Sequence, residues 1–126
     1  MKIAAHIVAT LLGLAFIAFS SMILFHLVTP PPPEPGSLIE KFMAAFAPTG
    51  WLMMVKTFEM IGGILVLIPK TRNLGLLVLG PILINILAFH VFVAKGDLMV
   101  PVILAAMALF LLFVERKAFA GLVNRN

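Results

Sequence analysis

The 126-residue chain is 63% hydrophobic and 11% charged, with a mean hydropathy of +1.19; a water-soluble domain of this size has no interior large enough to hide so much apolar surface, so composition excludes that class and points to a lipid bilayer. The formal charge of +4 and the pI near 10.0 come from Lys and Arg residues set between apolar segments. They form no basic stripe, which excludes a nucleic-acid binder, and the absence of Cys excludes disulfides, thiolate nucleophiles, Cys-ligated zinc and iron–sulfur clusters within the chain.

One domain, residues 1–126, is expected. The apolar runs 3–28, 51–68, 74–93 and 98–114 each approach the roughly 20 residues that an α-helix needs to cross a bilayer core of about 30 Å, and none alternates with the period of a strand. The first run follows Lys2 but is too long for a signal-peptide core and lacks a small-residue cleavage site, so it is expected to stay as a first helix. Pro30 to Gly36 favours an extended polyproline connector. From Ser37 to Ala47, the apolar residues Leu38, Ile39, Phe42, Met43 and Phe46 recur at helical spacing; Ser37 with Glu40 forms a capping box, and the segment predicts a short amphipathic helix on the membrane surface. Pro48-Thr49-Gly50 breaks it, and Trp51 marks an interface.

The other connectors, 69–73 and 94–97, are short, which predicts an antiparallel up-down bundle of four transmembrane helices, followed by a tail over 115–126. Lys2, Lys70, Arg72, Arg116, Lys117 and Arg125 fall on one side and only Lys41 and Lys95 on the other; the positive-inside rule then puts both termini in the cytoplasm of a bacterial inner-membrane protein. Small residues should carry the packing: Ala5, Ala9 and Gly13 on the first helix, Gly62 and Gly63 on the second, Gly75 and Gly80 on the third, where Pro81 predicts a kink.

Chemistry, if any, belongs to the polar residues inside the apolar runs. Counted from the outer ends, Ser20, Glu59 and Asn85 lie about 12 Å deep, Ser21 about 10 Å, and Lys56, His26 and His90 about 3–8 Å. Lys56 and Glu59 are compatible neighbours three apart, whereas Asn85 and His90, about 140° apart on an ideal helix, do not point at one spot unaided. The candidate ligand-binding set is Glu59, Lys56, Asn85, His90, Ser20 and Ser21. Two readings stand side by side: the Lys56–Glu59 pair binds a ligand or moves a proton, or it is a polar clamp between helices. For Asn85 an interhelical hydrogen bond competes with a site role. His6 reads as a solvated boundary residue. His26 and His90, at similar depth on different helices, could together ligate a b-type haem. No Gly-rich phosphate loop, H-E-x-x-H, G-x-S-x-G or carboxylate pair is found, so whether the protein is an enzyme stays open, and its eight Met residues read as ordinary packing.

The runs Lys56-Thr57-Phe58-Glu59-Met60-Ile61-Gly62-Gly63, Leu74-Gly75-Leu76-Leu77 and Gly80-Pro81-Ile82-Leu83-Ile84-Asn85-Ile86-Leu87-Ala88-Phe89-His90, with Pro69 between the first two, resemble the DoxX-like family of small bacterial membrane proteins. The resemblance implies a four-helix bundle and association with membrane redox complexes, among them a thiosulfate:quinone oxidoreductase, and in distant animal relatives with assembly of other membrane proteins. Glu59, Asn85 and His90 match its polar positions; thiol chemistry does not transfer to a chain without Cys. Three functions therefore compete: an accessory or binding subunit for a quinone-type or other apolar ligand or a membrane redox partner, a structural or assembly factor acting on a partner or as a homo-oligomer, and a small redox enzyme or cytochrome.

Overall fold

The computed structural model describes residues 2–123; Arg125, counted with the basic side, lies outside them. The chain is all-α, with no strand among the described residues. Helix α1 spans Lys2–Leu24, α2 Leu38–Phe46, α3 Trp51–Leu67, α4 Arg72–Ala88, α5 Met99–Val114 and α6 Arg116–Ala120. Ala47–Thr49 and Pro69–Thr71 are 3-10 turns, and Phe89–Ala94 winds as a π-helix.

Two stretches are long and apolar enough to cross a membrane, Lys2–Leu24 and the 26-residue run Pro69–Ala94 that joins α4 to its flanking turns. Helices α3 and α5 are also apolar but shorter, at 17 and 16 residues. Helix α2 does not lengthen α3, because the two meet at 83° across Gly50, whose φ of 84° is left-handed backbone that glycine adopts without strain. Large apolar side chains such as Leu11, 55% exposed, and Ile103, 50% exposed, face outward, a surface suited to acyl chains rather than water.

Helix α1 packs on α3 and α5, and α4 packs on the same two. Register makes neighbours antiparallel: Gly13 of α1 meets Gly63 and Leu67 of α3, while Gly62 of α3 meets Val78 and Leu79 of α4. Backbones touch at these crossings. A Cβ on Gly13 would lie 2.7 Å from the Gly63 carbonyl oxygen, and one on Gly75 would lie 2.7 Å from the Val66 nitrogen, so only glycine permits the approach. Gly80 differs from its expected role, since nothing lies within 4 Å of a Cβ there; it lines a small apolar groove with Ala105 and Ala108. Around these contacts Leu12, Phe16, Val66, Leu79 and Leu111 are wholly buried.

Two boundaries depart from the sequence reading. The first helix, expected to reach Val28, stops at Leu24, because the Leu27 N–H donates to the Met22 carbonyl (2.9 Å) and the His26 N–H to that of Ile23 (3.3 Å). His26, with φ 54°, occupies the left-handed position that closes such a Schellman motif. The third run begins at Arg72 rather than 74, since the Pro69–Thr71 turn winds straight into it; the helix continues through Pro81, and its winding changes only at Phe89. On α2 the capping box is displaced by one residue. Ser37 Oγ accepts from the Glu40 N–H (3.1 Å), but Glu40 Oε1 accepts from the Gly36 N–H (2.7 Å) rather than from that of Ser37.

Candidate functional site: an open cleft at the α2 end of the bundle

Where α1 ends and the chain turns through the proline-rich loop into α2, a cleft of about 1230 Å³ opens among α1, α2, α3, α4, the π stretch and α5. Its wall is apolar apart from Lys56, Glu59, Asn85, His90 and the Trp51 indole. A broad apolar cavity with few converging polar groups has the composition of a small-molecule site.

Lys56 and Glu59 fall on one face of α3 because they are three residues apart. Lys56 Nζ lies 3.3 Å from Glu59 Oε2 and 3.4 Å from Oε1. The carboxylate is the inner member, with its side chain 3% exposed, and the ammonium the outer, at 27%. The lysine stem thus carries its charge outward over a buried acid, a geometry suited to a long amphipathic side chain. An ammonium has three donors and Glu59 occupies at most two, so Lys56 still offers a donor to the cleft.

On α4 the Asn85 side chain donates through Nδ2 to the Pro81 carbonyl at 2.9 Å. It bonds within its own helix, and no interhelical bond from Asn85 occurs among the described residues. His90 Nδ1 lies 2.8 Å from the Ile86 carbonyl oxygen. A carbonyl only accepts, so Nδ1 carries a proton, and in the neutral ring Nε2 is a bare acceptor. The α-helical projection that set Asn85 and His90 apart fails beyond Phe89, where π winding begins, and both line the cleft. Single π turns inside helices are frequent at functional sites.

Ser20 and Ser21 are not brought to the cleft wall. Ser20 is fully buried and its hydroxyl donates to the Phe16 carbonyl at 2.6 Å, while that of Ser21 donates to Ala18 at 3.0 Å; both protons go to the backbone of α1. His26, fixed in the Schellman turn, is exposed and does not line the cleft either, so the structure does not pair it there with His90. No group of three or more His, Cys, Asp or Glu residues suited to a metal ion occurs among the described residues.

An aromatic wall escaped the sequence reading. The Phe42 ring of α2 lies 5.0 Å from that of Phe89 and 5.9 Å from Trp51, and Phe89 stands edge-on to His90 at 5.6 Å. The only signal for it was the apolar face of α2. At the opposite end Arg72 and Asn73 were likewise missed. Arg72 Nε donates to the Val66 carbonyl at 2.9 Å and its Nη2 reaches the exposed His6 at Nδ1, 3.5 Å away; Asn73 Nδ2 donates to Glu115 Oε1 at 3.2 Å.

No family model matches the chain, and no solved structure matches it. It is similar to the "Uncharacterized protein YwoB" of Bacillus subtilis (strain 168), 34% identical over 68 residues, which cover 54% of this chain and 44% of that protein. The chain thus aligns with less than half the length of that relative.

Proposed function

We propose that this is a membrane-embedded binding or accessory subunit whose cleft receives the head group of a quinone-type or other apolar ligand, in the service of a membrane redox partner. The observation that carries this reading is the convergence of Lys56, Glu59, Asn85 and His90 on one large, otherwise apolar cleft. Their hydrogen bonds stay within single helices, so they are poor glue between helices and are left with unused donors and acceptors. The resemblance to the DoxX-like family agrees with a redox setting.

The reading takes α3 and α5 as two further spans, tilted less or flanked by thinner bilayer than α1 and α4, giving four transmembrane helices. Both termini are then cytoplasmic, because Lys2, Lys70, Arg72, Arg116 and Lys117 gather at the end away from the cleft. The cleft faces outward, with α2 lying on that surface.

Extraction in mild detergent followed by mass spectrometry of bound lipids tests the reading. An apolar small molecule should co-purify with the wild-type chain and be lost from Glu59→Gln and His90→Ala variants that still fold. If nothing co-purifies and both variants fail to fold, the cluster is structural and the reading falls.

A further inference from the structure

The hydrogen-bond inventory of the cleft discriminates among ligands. Resting on the reading that the cleft holds a ligand, we infer that the head group is an aryl hydroxyl, with its O–H donated to His90 Nε2 and its ring set against the aromatic wall. The Ile86 carbonyl, 2.8 Å from Nδ1, takes that nitrogen as a donor, so Nε2 is the ring nitrogen of this cleft-lining residue left to accept. A ligand oxygen without a proton leaves that acceptor desolvated and unpaired, which is where discrimination by hydrogen bonding is strongest.

The ring requirement comes from what surrounds the acceptor. Phe89 stands edge-on to the His90 imidazole at 5.6 Å, and Phe42 stands edge-on to Phe89 at 5.0 Å. A flat ring gains edge-to-face contact there that an alkyl alcohol does not. Lys56 supplies the complementary element, a donor for the same oxygen or a second one on the ring. A phenol or the reduced, dihydroxy form of a quinone satisfies this set; the fully oxidised form offers His90 no proton. An aliphatic hydroxyl, as on a monoacylglycerol, shares the donor but not the ring.

Calorimetric titration of the full chain in phosphatidylcholine nanodiscs separates these cases with three probes: 4-dodecylphenol, its methyl ether 4-dodecylanisole, and monooleoylglycerol. The phenol should bind about tenfold more tightly than the anisole, the size expected for one buried acceptor left unpaired, and more tightly than the glyceride. In His90→Phe that preference should vanish, and in His90→Gln, whose side-chain carbonyl restores an acceptor, it should return in part. Equal binding of phenol and anisole to the wild type overturns the hydroxyl inference while leaving the cleft as a ligand site. Tighter binding of the glyceride than the phenol overturns the aromatic half. Binding of none of the three overturns this inference, whereas the reading of the cleft as a ligand site is decided separately by co-purification. The phenol–anisole comparison needs no variant, so a misfolded His90 substitution does not shelter the inference.

Discussion

The two ends of the bundle use polar side chains in opposite ways. At the basic end the bonds run between helices or cap them: Arg72 ties the end of α3 to His6 of α1, and Asn73 ties α4 to Glu115 at the end of α5. At the cleft end the polar side chains of α3 and α4 bond inside the helix that carries them. Lipid gives apolar faces no preference for one another over acyl chains, so helices are held together by close backbone approach and by hydrogen bonds that cross between them. The basic end has such cross-links, and Gly13, Gly63 and Gly75 supply the close approach nearer to it. The cleft end lacks them on its polar groups, and it is there that the helices part. One end is built to hold, the other to stay open.

The largest test of that contrast is Lys56→Met. It strands the Glu59 carboxylate, 2% exposed, without its cation, and loss of one member of a buried pair is destabilising by about 3–5 kcal/mol. A lower midpoint of thermal unfolding in detergent and reduced yield are expected. The double variant Lys56→Met/Glu59→Leu should regain most of that stability, since two apolar side chains replace the pair without leaving a lone charge, and should still lose ligand. A double variant as unstable as the single one would make the pair a clamp and erase the difference between the ends.

Asn73→Ala gives a smaller effect at the other end. Removing the amide that donates to Glu115 at 3.2 Å should lower stability by about 1.5–3 kcal/mol, the range of a hydrogen bond to a charged group, and leave co-purified ligand unchanged. Ligand lost together with stability would show the two ends to be coupled.

How far this contrast was legible depends on sequence separation. Helices α1, α3, α4 and α5 could be read because each is a long apolar run, whereas α6 falls in the stretch expected only as a tail; the Lys56–Glu59 bridge could be read because residues three apart on a helix are neighbours. Ser37 and Glu40 were legible as a cap for the same local reason. The Arg72–His6 contact joins residues 66 apart, and its partner follows only from the register of α1 against α3, which the Gly13–Gly63 crossing sets. Phe42 meets Phe89 only because Gly50 folds α2 back over the mouth of the cleft. Ser20 and Ser21 have the right depth for a site, but depth does not say that a helical serine returns its proton to its own backbone.

The end of α1 was misread for a conformational reason, and it supplies the smallest test. Apolar residues continue to Val28, so pattern alone extends the helix, yet it closes at Leu24 with His26 in left-handed backbone at φ 54°. A non-glycine residue there pays a steric penalty that glycine avoids. His26→Gly should therefore stabilise the protein slightly, by no more than about 1 kcal/mol, raising the unfolding midpoint by a few degrees or less. Because His26 does not line the cleft, the variant should keep its ligand in full, and the purified protein should show the same absorbance as the wild type. A Soret band present in the wild type and lost from His26→Gly would instead restore His26 as a haem ligand and move the working site from the cleft wall to the turn that ends α1.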